Sequence, residues 1–125
     1  MFGECTDGAK VQSEPKPGQR IFYSAELSRV AAERCTTAKE AVLLIGELIE
    51  TYGYYGTGET LPIADPEEGW VMEMAPSPEG TGGLWVAKYD DGYINAPGEM
   101  AQEVGYPEEW YEKSKWPQGP TSYSR

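Results

Sequence analysis

The sequence predicts an α+β fold in which a layer of two helices packs on an antiparallel meander sheet. Two consecutive segments, 24–34 and 38–52, carry apolar residues at helical spacing. The segments that follow are short, rich in Trp, Tyr, Val and Met, and separated by turn residues. Because connections this short leave no room for parallel crossovers, we expect neighbouring strands to run antiparallel.

Residues 1–20 predict an extended arm with room for one short strand. Pro15, Pro17 and Gly18 interrupt any regular element in this part of the chain. We therefore expect regular structure to begin after Arg20.

The first helix is expected to run from a cap at Ser24 to about Arg34. Serine is a favoured N-cap, because its hydroxyl accepts a hydrogen bond from an amide in the first turn. Leu27, Val30 and Ala31 recur at spacings of three and four, which places them on one face. The segment therefore predicts a short amphipathic helix.

The second helix has the clearest signals in the sequence. Thr37 and Glu40 form a T-x-x-E capping box, in which the threonine hydroxyl accepts from the glutamate amide and the glutamate reaches back to the cap. The helix should therefore begin at Ala38, and Gly53 lies where a left-handed C-terminal cap belongs. Its continuous apolar stripe consists of Ala38, Ala41, Val42, Ile45, Leu48, Ile49 and Tyr52.

Four strands are predicted after the second helix. They are Thr60–Ala64, Trp70–Ala75, Leu84–Tyr89 and Tyr93–Ala96. Trp70, Met72 and Met74 share one face of the second of these strands, by alternation. Val71 lies on the opposite face, so apolar residues occupy both sides of the sheet. Because two helices can cover only one side, we expect an uncovered sheet face that could support self-association.

Residues 97–125 predict a polar, aromatic and Pro-rich tail that is partly ordered. We place it outside a domain that spans residues 1–96, of which 1–20 form the arm. Short helical turns are expected at 99–104 and after Pro107, and the last residues are expected to fray.

The charge of the chain excludes two classes of partner. Ten basic and 21 acidic residues give a net charge of −11. This field repels phosphate backbones and anionic lipids, so we expect neither nucleic acid nor a membrane as a partner. The longest aliphatic run, Ala41–Ile45, is too short to span a bilayer and no leader pattern precedes it, so a cytoplasmic location is expected.

The absence of histidine restricts the chemistry that the chain can perform. It removes Ser-His-Asp and Cys-His nucleophile systems and every His-ligated metal site. The two cysteines cannot form a four-thiolate zinc site. Asp65, Glu67 and Glu68 occur together in a way that is typical of a turn rather than of a metal site. We therefore expect no metal and no cofactor.

Cys5 is the candidate nucleophile that the residues themselves offer. If the four residues before it were removed, its own amine could act as the general base, an arrangement that needs no histidine. The alternative is a plain strand or arm, because the weakly apolar segment Thr6–Lys10 gives a nucleophile little rigid support. Cys35 is expected to be a small buried thiol, since the capping box already accounts for the threonines that follow it.

The order and spacing of five segments resemble those of a known family. The segments are Ala31–Ala41, Ile45–Glu50, Leu61–Met74, Gly82–Lys88 and Asp91–Ile94. In them the chain resembles the cysteine dipeptidases of the dipeptidase A type, which are N-terminal-nucleophile hydrolases. The resemblance implies four layers, with helices outside two antiparallel sheets, and this chain would supply one sheet and its helices. It also implies a dipeptide substrate, a mature N-terminal cysteine whose amine is the base, and no metal.

The resemblance also implies that part of the site is absent. The nucleophile of the family and the strands after it lie upstream of the matched segments. We therefore expect a fragment or truncated relative that hydrolyses dipeptides poorly or not at all as an isolated chain. After Ile94 the family carries an Asn-containing segment associated with the active site, whereas this sequence has Glu99 near the expected position. The catalytic residues thus stay open, with Cys5 as the candidate in this chain.

Two other functions are compatible with the sequence. One is a small acidic, non-catalytic binding module that docks a partner through Trp110, Tyr111 and Trp116, because clustered aromatic residues mark interaction surfaces. The other is a domain that associates with itself through the uncovered sheet face.

Overall fold

Two helices and a five-stranded antiparallel sheet form the fold in the computed structural model, which describes residues 1–89 and 92–95. The elements are β1 (Cys5–Asp7), α1 (Ser24–Arg34), α2 (Ala38–Tyr52), β2 (Gly58–Ala64), β3 (Gly69–Pro76), β4 (Gly83–Tyr89) and β5 (Gly92–Asn95). The expected α+β class is confirmed. The predicted tail, with its aromatic residues 110, 111 and 116, lies outside the described residues, and the division at residue 96 stays a prediction.

The sheet is the expected meander, with strands in the order β1-β2-β3-β4-β5. Each neighbouring pair is antiparallel. The strands after the helices lie where they were predicted and begin one or two residues earlier. The arm contributes its one short strand, β1, which pairs with β2 so that Cys5 lies opposite Thr60.

Helix α2 begins and ends at the residues that the sequence predicts. The Thr37 hydroxyl accepts from the Glu40 amide at 3.2 Å, and the Glu40 carboxylate accepts from the Thr37 amide at 3.2 Å. Gly53 ends the helix with a φ of +78° but an extended ψ of 155°, rather than the left-handed helical conformation. A Cβ at this position would lie 1.8 Å from the Gln19 carbonyl oxygen, so only glycine fits there.

The prediction of an N-cap at Ser24 is wrong, because the cap of α1 is Tyr23. Ser24 is the first helical residue and is fully buried. Its hydroxyl donates to the Glu4 carboxylate of the arm. In the first turn, the Glu26 carboxylate instead accepts from the Tyr23 amide at 3.1 Å. A long-range contact has therefore replaced the local cap.

The two helices cover one face of the sheet, where α2 lies against β2, β3 and β4. Its closest approach is at Gly46, where a Cβ would come within 2.5 Å of the Trp85 ring. The core on this face consists of Leu27, Ala31, Ala38, Ala41, Val42, Ile45, Ile49, Tyr54, Leu61, Ile63, Trp70, Met72, Met74, Trp85 and Ala87. Tyr52, which the predicted apolar stripe included, is exposed and has its ring edge against Phe22.

The opposite face is mixed in its exposure. Val71 is 42% exposed there, whereas Leu84 and Val86 on the same side of the sheet are buried. Across residues 1–89 and 92–95, neither helix has the length and apolar character needed to cross a membrane.

Candidate functional site

Cys5 lies in a paired strand rather than at a free chain end. Its side chain is exposed, and β1 holds it opposite Thr60. The residues before it are tied to the end of β2, because the Met1 ammonium group donates to the Ala64 carbonyl at 2.6 Å and the Gly3 amide donates to the Pro62 carbonyl at 2.8 Å. The Cys5 nitrogen is part of the peptide bond to Glu4, and only cleavage of that bond would give the free amine that a base requires.

Cys35 follows the last residue of α1 and is half-buried against the core. Burial and the nearby Glu40 carboxylate raise the pKa of its thiol. A thiol whose pKa is raised carries less of the reactive thiolate at neutral pH. The residue lines a cavity of about 450 Å³ between the helix ends, the first two residues and the end of β2. Its surroundings fit the expected structural thiol.

Asp65 is confirmed as a turn former. One of its carboxylate oxygens accepts from the amides of Glu67 and Glu68 at 2.8 and 2.9 Å. The other accepts from the Ala38 amide at 2.6 Å, so the turn between β2 and β3 also satisfies the start of α2. These bonds lower the pKa of Asp65. Within the described parts of the chain, no three metal-ligating side chains come together.

A second cavity, of about 510 Å³, lies where β1 ends and β2 begins. Asp7 and Glu73 line it from the sheet, and Lys10 lines it from the arm. The Thr60 hydroxyl donates to the Asp7 carboxylate at 2.5 Å and fixes its position. Burial and the nearby Asp7 charge raise the pKa of Glu73. The cavity falls in the size range of small-molecule sites, roughly 300–1,000 Å³.

Glu59 is a buried carboxylic acid that the sequence reasoning missed. It is 3% exposed and lies on the helix-facing side of β2, in phase with Leu61 and Ile63. The Thr6 hydroxyl donates to one of its oxygens at 3.3 Å, and the other oxygen has no hydrogen-bond partner. Glu59, Leu61 and Ile63 occupy alternate positions along β2, and this position on the apolar face is the signal that could have identified Glu59.

Arg20, also missed, is a buried cation near the end of the sheet. One terminal nitrogen of its guanidinium donates to the Ser77 carbonyl at 3.2 Å, and its Nε has no partner. The arginine thereby ties the arm to the loop after β3.

The comparisons with known proteins identify the family. The family model described as peptidase family C69 matches residues 9–106, a range that includes Cys35 and excludes Cys5. No solved structure matches the chain. The match covers well over half of the sequence and agrees with the resemblance found in its segments. The chain therefore belongs to peptidase family C69, the cysteine peptidases of the dipeptidase A type.

Proposed function

We propose that this chain contributes the helix-covered sheet of a cysteine peptidase that cleaves dipeptides, and that it carries no catalytic thiol of its own. Membership of family C69 supports a peptidase function. The observation that carries the second part is that neither cysteine combines an accessible thiol with a free amine. The thiol that attacks the peptide bond would then come from another polypeptide segment.

The surroundings of Cys5 support this proposal. For its amine to become a base, the bond between Glu4 and Cys5 must be broken. That cleavage would remove the paired contacts of Met1 and Gly3 with β2, and the contact of Glu4 with Ser24. The strand that would have to hold the nucleophile rigidly would thus lose its own anchors.

The cavity beside β1 supports a dipeptide as the substrate. An unblocked dipeptide carries an ammonium group at one end and a carboxylate at the other. The carboxylates of Asp7 and Glu73 match the first of these charges, and the Lys10 ammonium group matches the second. The cavity therefore has complementary charge for both ends of a short zwitterion.

The absence of a catalytic thiol is tested by assaying the purified chain with unblocked dipeptides and measuring the amino acids released. We expect no turnover above buffer, and the same result for the folded variants Cys5→Ala and Cys35→Ala. Turnover that Cys5→Ala abolishes and Cys35→Ala preserves would overturn the proposal and make Cys5 the nucleophile. A chain that begins at Cys5 should also be inactive, with a lower unfolding midpoint than the full chain.

The substrate class is tested by NMR titration with an unblocked dipeptide and with its N-acetylated, C-amidated form. We expect the unblocked form to shift the amides of the cavity residues, and the blocked form to leave them unchanged. Lys10→Gln should weaken binding of the unblocked form, whereas Lys39→Gln, an exposed lysine on α2, should not. Equal shifts from both peptides would contradict recognition of the charged ends.

A further inference from the structure

Glu59 is enclosed by the core on one side and by the N-terminal arm on the other. Its side chain is 3% exposed, one carboxylate oxygen is unpartnered, and the other accepts a single bond of 3.3 Å from Thr6. Thr6 lies directly opposite Glu59 in the pairing of β1 with β2. Strand β1 and the start of α1, which brings Ser24 to Glu59, together separate this carboxyl group from water.

Within residues 1–89 and 92–95, the charges that shift the pKa of Glu59 are both negative, although Lys10 lines the same cavity. The arm brings Glu4 and Asp7, which act on Glu59 as further negative charges. The start of α1 brings the neutral Ser24, and the segment before β2 brings Tyr54, whose own pKa is raised by burial and by Glu59. Strand β3 places Met74 opposite Glu59. The Arg29 guanidinium on α1 is paired with Glu33 on the same helix.

An ionised carboxylate in these surroundings is unfavourable, because it loses hydration and gains only neutral hydroxyl donors, those of Thr6 and Ser24. Burial, with the charges of Glu4 and Asp7, raises the pKa of Glu59 above its ordinary value. A group whose pKa is raised in the folded state stabilises that state at low pH, and the stabilisation is lost as the pH rises through the raised pKa. Ionisation therefore favours any conformation in which water reaches Glu59.

We propose that Glu59 is a proton-operated latch for the N-terminal arm: when it is protonated, β1 stays paired with β2, and when it ionises, residues 1–7 leave the sheet. Departure of β1 hydrates the carboxylate and separates it from Glu4 and Asp7. The three residues of β1 are exposed and lie at the edge of the sheet, so the strand itself buries little. Its release must also break the bonds of Met1 and Gly3 to β2 and the packing of Phe2 on the core. Its release also removes Asp7 from the wall of the 510 Å³ cavity. The latch does not depend on the proposed peptidase function.

The test is an NMR titration of the full chain from about pH 4 to about pH 8, which follows the Glu59 carboxyl carbon and amide exchange in β1 and β3. Protection factors are corrected for the intrinsic pH dependence of exchange. We expect Glu59 to titrate above the usual glutamate value of roughly 4.3. At the same midpoint, protection in residues 5–7 should fall at least about tenfold while β3 stays protected.

Glu59→Gln keeps the size of the side chain and removes its charge. We expect this variant to hold β1 at its low-pH protection throughout the titration. The matched control, Glu47→Gln, changes an exposed glutamate on α2 and should retain the wild-type pH dependence. If the Glu59→Gln variant does not fold, the wild-type titration by itself tests the latch. Protection of residues 5–7 that stays constant through the Glu59 midpoint, or a midpoint at the ordinary glutamate value, would overturn the latch.

Discussion

Gly46 is the position at which α2 comes closest to the sheet. A Cβ there would lie 2.5 and 2.6 Å from two carbons of the Trp85 ring. The ring is also held by a hydrogen bond of 2.8 Å from its N–H to the Glu50 carboxylate, one turn further along the helix. Because the ring is fixed from both sides, it has little freedom to accommodate a methyl group.

We expect Gly46→Ala to destabilise the protein, because overpacking usually costs about 1–3 kcal/mol. Alanine favours a helix over glycine by about 1 kcal/mol, which offsets part of this cost and leaves an expected net loss of up to about 2 kcal/mol. Urea unfolding measures the change. Glu47→Ala, at the next and exposed position, is the control and should be close to neutral. A Gly46→Ala variant at least as stable as wild type would contradict the close contact.

Asp65 makes stability depend on pH in the acidic range. Its carboxylate accepts three backbone amides, and these bonds hold its pKa below the ordinary aspartate value. The bonds therefore stabilise the fold fully at pH values above the ordinary aspartate pKa, and this contribution is lost as the pH falls through the lowered value.

We expect Asp65→Asn to lower the free energy of unfolding at neutral pH, with a difference from wild type that shrinks toward about pH 3. Urea unfolding at both pH values gives the comparison. Glu67→Gln changes an exposed carboxylate in the same turn and should behave like wild type. A difference that grows on acidification would show that the carboxylate is not the stabilising form.

Helix α2 depends on its capping box at the scale of a whole element. Thr37→Ala leaves the Glu40 amide without its acceptor, and we expect it to cost about 1 kcal/mol. Thr51→Ala, near the other end of the same helix, makes the same chemical change at an exposed position and should be neutral or slightly stabilising. Equal effects of the two substitutions in thermal unfolding would argue against the cap.

The elements that were predictable are those whose signals are local. Thr37 and Gly53 define α2 from within a few residues, and the structure confirms both ends. Strand β1 offers no alternating pattern, since all three residues are exposed and the partner strand is distant in sequence. The prediction of a cap at Ser24 was wrong for the same reason, because the Ser24 hydroxyl donates to Glu4, which is distant in sequence.

In the candidate site too, the features set by neighbouring residues were predictable and those set by distant residues were not. The structural character of Cys35 followed from the capping box beside it, and its raised pKa agrees with a half-buried thiol. The burial of Glu59 depends on Thr6 and on the start of α1, neither of which is near it in sequence. A single sequence reports which residues are apolar, but it does not report which distant side chain closes over a carboxylate.

For the whole molecule, we propose self-association through the exposed part of the sheet face opposite the helices. Val71 is 42% exposed on this face and pairs across the strands with Lys88. We expect light scattering at high protein concentration to give a mass above that of the monomer, and Val71→Lys to reduce it by charge repulsion. Leu43→Lys is the control, since Leu43 is 49% exposed on α2. A monomeric mass at every concentration, or equal effects of the Val71→Lys and Leu43→Lys substitutions, would contradict association through the sheet.

The order of the strands in the sheet predicts which strand pairings form first during refolding. Strands β2 to β5 pair with their neighbours in sequence, so each pairing closes only a short loop. The pairing of β1 with β2 instead joins positions 5 and 60 and must close the loop that contains both helices. The transition state for folding should therefore contain the meander and lack β1. Substitutions in β1 would accelerate unfolding and leave the refolding rate unchanged.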